Sequence, residues 1–195
     1  AESMARYWDI RHGDFKISVD LENDSENLDA VLRKEYFSDL NRNIATMDGV
    51  RNVFTYATLP AEFSTSNDVA DETLLMGYNE KDMDSLTTAI VSGNITENTE
   101  LIVSDPDRVY DVYHWKPQIG NTVTFNFKNN SGKTITKTFK IGAITSSNDG
   151  MGGYIFRMPE KMMHELVGYD CTYAIEVQTE PESIQEAENK IRSLI

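Results

Sequence analysis

Cysteine is nearly absent from this 195-residue chain: Cys171 is the only one, so an internal disulfide is excluded. Its neighbours Tyr173, Ile175 and Val177 alternate as a strand face, which makes the thiol a small buried apolar side chain. Long apolar runs are missing too. None approaches the roughly 18–20 residues that a spanning helix needs, so no membrane crossing is expected within these residues. Residues 1–11 are polar and lack the apolar centre of a signal peptide, so work outside the cell requires a fragment whose targeting segment has been removed. Cations are outnumbered, with 18 Lys and Arg against 32 Asp and Glu and a net charge of −14. That balance argues against a nucleic-acid partner, because phosphate binding needs clustered cations. It permits a cationic ligand such as a basic peptide through long-range attraction, and it equally suits a plain solvated acidic surface.

Catalytic signatures are likewise lacking. His12, His114 and His164 lie far apart in the sequence, with no partner at metal-ligand spacing, so no metal site is expected. There is no GxSxG elbow, phosphate loop, HExxH or cysteine beside a plausible base. Glu22 and Asp24, or Asp82 and Asp84, lack the spacing and central glycine of an EF-hand and read as solvated turns. The 32 carboxylates offer no pair that the sequence selects for glycoside hydrolysis. No catalytic residue, cofactor or metal is therefore expected.

What is present is strand pattern. In residues 120–144, Val123, Phe125 and Phe127 alternate with Thr122, Thr124, Asn126 and Lys128. Ile135, Phe139, Ile141 and Ala143 then alternate with Thr134, Thr136, Thr138 and Lys140, after the turn-forming residues 129–133. The two runs predict a β-hairpin. Lys137 breaks the second apolar row; a simple register sets it near Phe125, its stem covering the ring and its ammonium in water.

Ahead of the hairpin, residues 14–21 read as a strand, and Leu28, Val31, Leu32, Tyr36, Leu40, Ile44 and Met47 give a helix one apolar face. Gly49 stops that helix and residues 50–59 form a second strand, completing a βαβ unit. Residues 60–73 read as a mobile loop or weak hairpin, 74–80 as a strand, 82–92 as a short helix and 100–104 as a strand. Asp105 and Pro106 start a further helix, with Val109, Val112 and Tyr113 facing the core. After the hairpin come a flexible loop at 146–153, a strand at 154–159, a helix at 160–167 and a strand at 172–178. Thr179 and Glu182 have capping-box spacing ahead of a terminal helix with Ile184, Ala187, Ile191 and Leu194 on one face. The expected fold is α+β, with two lobes and the outer one discontinuous: residues 1–73 with 153–195, and an inserted β-rich lobe at 74–152.

Contact with a partner is expected at Tyr110, Tyr113 and Trp115, aromatic residues of the kind that anchor interfaces or pack a helix against the hairpin. Lys137 is a second candidate, and Asn148, Asp149 and Met151 in the glycine-rich loop are a third.

Several of these stretches, in order, resemble the MacB-like and FtsX-like permeases of ABC transporters. IVSGNITENTELIVS resembles the family's apolar pair, Gly-Arg-x-Pro and Glu-Ile-Val segment, matching at Gly93 and Glu100–Val103, with Asn94 and Thr96 replacing arginine and proline. KPQIGNTVTFNF is similar to its lysine, Gly-Asp and strand segment, with Asn121 for aspartate. KTFKIGAI resembles a strand that often has glycine where Ala143 stands, and YIFRMPEKMMHEL its strand followed by a proline-started helix. HGDFKISVDL and TYAIEVQTEPESIQEAENKI fit its outer lobe.

The resemblance implies an extracytoplasmic domain inserted between the first two transmembrane helices of a cell-membrane permease. It implies a porter-like lobe at the membrane and a distal, Sabre-like β-rich lobe, with no catalytic residues to carry over. The implied partners are transmembrane helices of the same polypeptide, an ABC ATPase subunit that hydrolyses ATP, and a second copy in a homodimer. Outside the membrane they are a cationic peptide, a lipoprotein or a cell-wall hydrolase. The rival expectation is a stand-alone secreted or surface binding module, and a third is an unrecognised hydrolase with a converging acid–base pair.

Overall fold

The computed structural model describes residues 14–19, 39–128, 132–149, 154–167 and 172–194. It is a mixed α+β chain whose contacts divide it into two compact units, Ala1–Ala57 with Gly168–Ile195, and Thr58–Val167.

In the first unit, β1 (Asp14–Val19) pairs antiparallel with β9 (Thr172–Thr179), from Asp14 opposite Gln178 to Val19 opposite Tyr173. β9 lies between β1 and β2 (Val50–Thr65) in the strand order. The expected βαβ unit is therefore split, with the C-terminal strand in its gap. Of the long helix, residues 39–45 are described, and Leu40 and Ile44 are buried one turn apart. Gly49 ends it at φ +83°, where an added Cβ would come within 2.4 Å of Ser183 Cβ. Glycine is needed there for both conformation and space. The carbonyl of Gly49 accepts from the Glu180 N–H at 2.8 Å. A 3₁₀ turn at Pro181–Ser183, with Glu180 at its N-cap and no side-chain bond from that cap, precedes the terminal helix, which therefore starts later than the Thr179–Glu182 spacing predicts. In the terminal helix (Ile184–Leu194) Ala187 and Ile191 are buried, whereas Leu194 is exposed.

The second unit is a closed barrel. β2 pairs with β3 (Ala70–Tyr78), β3 with β8 (Phe156–Pro159), β8 with β5 (Leu101–Ser104) and β5 with β7 (Thr134–Thr145). β7 then pairs with β6 (Thr122–Lys128), and β6 returns to β2, closing the ring. Closure leaves none of the six ring strands as an open edge. β4 (Ile90–Gly93) adds to β7 outside it. The hairpin has the predicted register, with Phe125 directly opposite Lys137.

Of the two readings of residues 60–73, the hairpin is the one found: β2 continues to Thr65 and β3 starts at Ala70, because Ala61 and Phe63 are buried between exposed Pro60, Glu62 and Ser64. Residues 82–92 are not one helix. A 3₁₀ turn at Glu80–Asp82 and the helix α1 (Met83–Thr88) give way to β4, since Ile90 and Ser92 pair with β7 rather than continuing the helical face. Helix α2 (Pro106–Tyr113) starts as predicted, with the Asp105 carboxylate accepting from the Arg108 N–H. Val109 is buried, but Val112 is 58% exposed and so faces away from the core. Helix α3 (Glu160–Val167) follows β8 and buries Met163 and Val167.

The unit boundaries fall at 57/58 and 167/168, whereas the sequence reading drew them at 73/74 and 152/153. The reason is pairing: the C-terminal part of β2, all of β3 and β8 are ring members of the barrel.

Candidate functional site

Registers across four barrel strands put Asp71, Phe63, Phe125 and Lys137 in one row, each directly opposite the next. Residues paired in this way share a face. Phe63 and Phe125 are buried, and both stack edge-on against Phe156, at 4.8 and 5.2 Å between ring centroids. Phe125 also lies against Phe139 and Phe127. The row thus has an aromatic centre with a carboxylate at one end and an ammonium at the other.

The last turn of α2 meets this row. Tyr113 packs edge-on against Phe63 at 5.6 Å and donates its hydroxyl hydrogen to Asp71 at 2.9 Å. Burial raises the Tyr113 phenol pKa, and the bond to Asp71 and that carboxylate's charge raise it further. Tyr110 is 43% exposed, with the Lys116 ammonium 5.0 Å over its ring and His114 edge-on beside it. Trp115 is buried, so it packs the core rather than offering a face to solvent. Lys137 is exposed.

Beside the row is an open depression of about 510 Å³, lined by Glu62, Phe63, Ser64, Ala70, Asp71, Glu72 and Asn126. Its three carboxylates face no Lys or Arg in the lining, and Glu62 stands directly opposite Glu72 across the β2–β3 ladder. Like charges so opposed repel.

A second cluster carries no signature in the sequence. Arg157 and Asp149 are both fully buried. Arg157 Nε and Nη2 donate to Asp149 Oδ2 and Oδ1, each at 2.8 Å, while Nη1 donates to the Tyr154 carbonyl at 2.7 Å. Asp149 Oδ2 also accepts from Ser104 Oγ and Thr145 Oγ1, both at 2.9 Å. Such a two-pronged pair suits a guanidinium and a carboxylate and leaves neither charge uncompensated. Asp149, expected in a mobile loop and open to a partner, is instead enclosed. Asn148 beside it is exposed, and Met151 lies outside the described residues, as does Cys171. An arginine inside YIFRMP looks like any alternating strand residue; its buried partner eight residues earlier carries no spacing signal.

A third group lies where β3 ends and α3 begins. The Asn79 N–H donates to Asp82 Oδ2 at 2.9 Å and the Asn79 amide to Glu160 Oε2 at 3.2 Å, and His164 Nε2 stands 3.8 Å from Glu160 Oε1. Burial holds the Asp82 carboxyl above its ordinary range; the Asn79 N–H opposes this, Glu160 adds to it, and Arg157 and Lys81 oppose it. Among the described residues, no group of three His, Cys, Asp or Glu side chains is placed to hold a metal ion, and no helix is long and apolar enough to cross a membrane.

No family model matches the sequence, and no curated protein does. Among solved structures the chain is similar to the extracellular domain of the noncanonic ABC-type transporter YknZ from Gram-positive bacteria. There the identity is 16% and the TM-score 0.48, with 76% of each chain covered. It is also similar to the periplasmic region of MacB from Actinobacillus actinomycetemcomitans, at 14% identity and a TM-score of 0.47, covering 80% of this chain and 71% of that one.

Proposed function

We propose that the chain is the extracytoplasmic domain of an ABC-transporter permease of the MacB and FtsX type. Its units respond to ATP hydrolysis on a cytoplasmic ATPase and engage a substrate or partner outside the membrane. The motif order described above supports this reading. The observation that carries it is that distant parts of the chain build one unit, β1 pairing with β9 across more than 150 residues of sequence. A displacement of either flank then reaches one sheet, and packed elements of this kind move as bodies rather than bending smoothly. In this reading the domain supplies no catalytic group, and a second copy completes the full-length transporter.

The partner-facing surface in this reading is the end of α2 and the adjoining row. Tyr110 and Tyr113 present aromatic area, Lys137 a cation and Asn148 an exposed amide. The test is full-length protein in lipid with spin labels on the two units, held ATP-bound and nucleotide-free. Label spacings that change between the states support coupling; identical spacings in both overturn it. The parent reading frame gives a cheaper check, with one membrane helix expected before Ala1 and three after Ile195.

A second reading, a surface module that binds a cationic peptide, is favoured by the depression at Glu62, Asp71 and Glu72. A Lys-rich peptide titrated by calorimetry binds the parent, and binds at least about tenfold more weakly to Glu62→Gln with Glu72→Gln. Equal affinities overturn this reading and leave the transporter reading untouched.

A further inference from the structure

We propose that the Asp149–Arg157 pair is a latch that holds the Ser146–Asp149 stretch after β7 in place and adds little to the stability of the barrel. Asp149 is held through its carboxylate, and Tyr154 through the carbonyl that accepts from Arg157 Nη1. The anchors belong to three strands that meet at one end of the barrel. Ser104 closes β5, Thr145 closes β7, and Arg157 is the second residue of β8. Phe156 and Arg157 are consecutive on β8, so their side chains take opposite faces. Phe156 joins the interior aromatic cluster, which leaves Arg157 on the outer side of the wall, where the Ser146–Asp149 stretch covers it. A backbone bond fastens the same stretch, Ser146 N–H donating to the Ala89 carbonyl at 2.9 Å, and another fastens the start of β8, Ser104 N–H donating to the Ile155 carbonyl at 2.7 Å.

The division between path and stability follows from desolvation. Removing two charges from water costs about what their attraction returns, so a buried pair is often replaceable by apolar side chains of similar volume. An apolar pair, however, has no directional demand and accepts many placements of that stretch. The latch specifies one: the two oxygens of Asp149 fit the two donors of the guanidinium only if Asp149 lies at this place.

The test compares the parent with the double variant Asp149→Leu, Arg157→Met and the single variant Asp149→Asn. Denaturant unfolding is read alongside native-state cleavage by a protease of broad specificity, with cut sites mapped by mass spectrometry. The double variant is expected to keep its unfolding constant within about tenfold of the parent. Its cleavage within 146–149 is expected to rise at least about tenfold while the strands stay resistant. Asp149→Asn, which strands a buried cation, is expected to raise the unfolding constant by more than about a hundredfold. A double variant cut at the parental rate overturns the latch. So does one that fails to fold or loses more than about a hundredfold in stability, because the pair would then be holding the barrel itself. Hydrogen exchange on the parent needs no variant. The latch requires the Ser146 amide to exchange as slowly as the β7 amides, and exchange at open-loop rates overturns it.

Discussion

Phe125 has no solvent exposure and meets Phe127, Phe139 and Phe156, so truncation there removes contacts from the middle of the barrel. Phe125→Ala is expected to cost about 3–5 kcal/mol, read from the denaturant midpoint. A loss below about 1 kcal/mol would mean that the cluster does not form. Tyr78 poses the opposite case. Its hydroxyl is buried with no hydrogen-bond partner, and burial pushes its phenol up to about 12. A phenol raised in the folded state helps stability below its unfolded value near 10, and that help is lost as pH rises towards about 12. Tyr78→Phe is therefore expected to be neutral or to stabilise by about 1 kcal/mol, and to lose this alkaline limb. A variant that unfolds across pH 10–12 just as the parent does would refute it. Asp82 follows the same sign lower on the scale. Its carboxyl is raised, so its contribution is complete below the unfolded carboxylate range and lost as pH rises through the folded value. Asp82→Asn should gain on the parent as pH rises from about 3 to 7, in paired urea titrations.

Among elements, β4 shows how one residue allows a strand to end. Gly93 has φ +75°, and a Cβ there would lie 2.3 Å from the Gly142 carbonyl oxygen and 2.7 Å from Ile119 Cδ1. The glycine that matched the permease pattern in sequence thus has a steric reason here. Gly132 has a similar φ of +73° but open space around it. Gly132→Ala is expected to cost about 1–2 kcal/mol, from left-handed backbone alone. Gly93→Ala should cost clearly more, because the close backbone oxygen cannot move aside as a side chain would. Equal losses in thermal melts would show that β4 shifts to make room. The hairpin was legible because its alternation is local, and Lys137, expected near Phe125, lies directly opposite it. The β2–β3 hairpin was half legible: Ala61 and Phe63 carry the alternation, but the polar 64–68 stretch hid the continuation to Thr65.

At the scale of the molecule, charge is the leading feature. With a net charge of −14, attraction for a cation acts from a distance and is screened by salt. Association of a Lys-rich peptide, followed by stopped flow, should slow by about tenfold or more between about 0.02 and 0.2 M salt. A rate indifferent to salt would rule out steering. The depression holding Glu62, Asp71 and Glu72 gives that diffuse charge a place, which composition alone could not.

The sequence by itself determined the α+β class, the helix starting at Asp105–Pro106, the register of the hairpin and the absence of a disulfide. Each of these rests on neighbours within a few residues, or on composition. Tertiary structure alone decided that the β-rich part closes into a ring. Closure depends on β5, four buried residues that pair with strands about 40 and 55 positions away, a distance at which sequence pattern carries no register. It also decided that β9 fills the gap in the βαβ unit. Last, it decided that Asp149, in a stretch that composition marks as free to move, is held by Arg157 out of water, because burial is a property of what surrounds a residue and not of the residue.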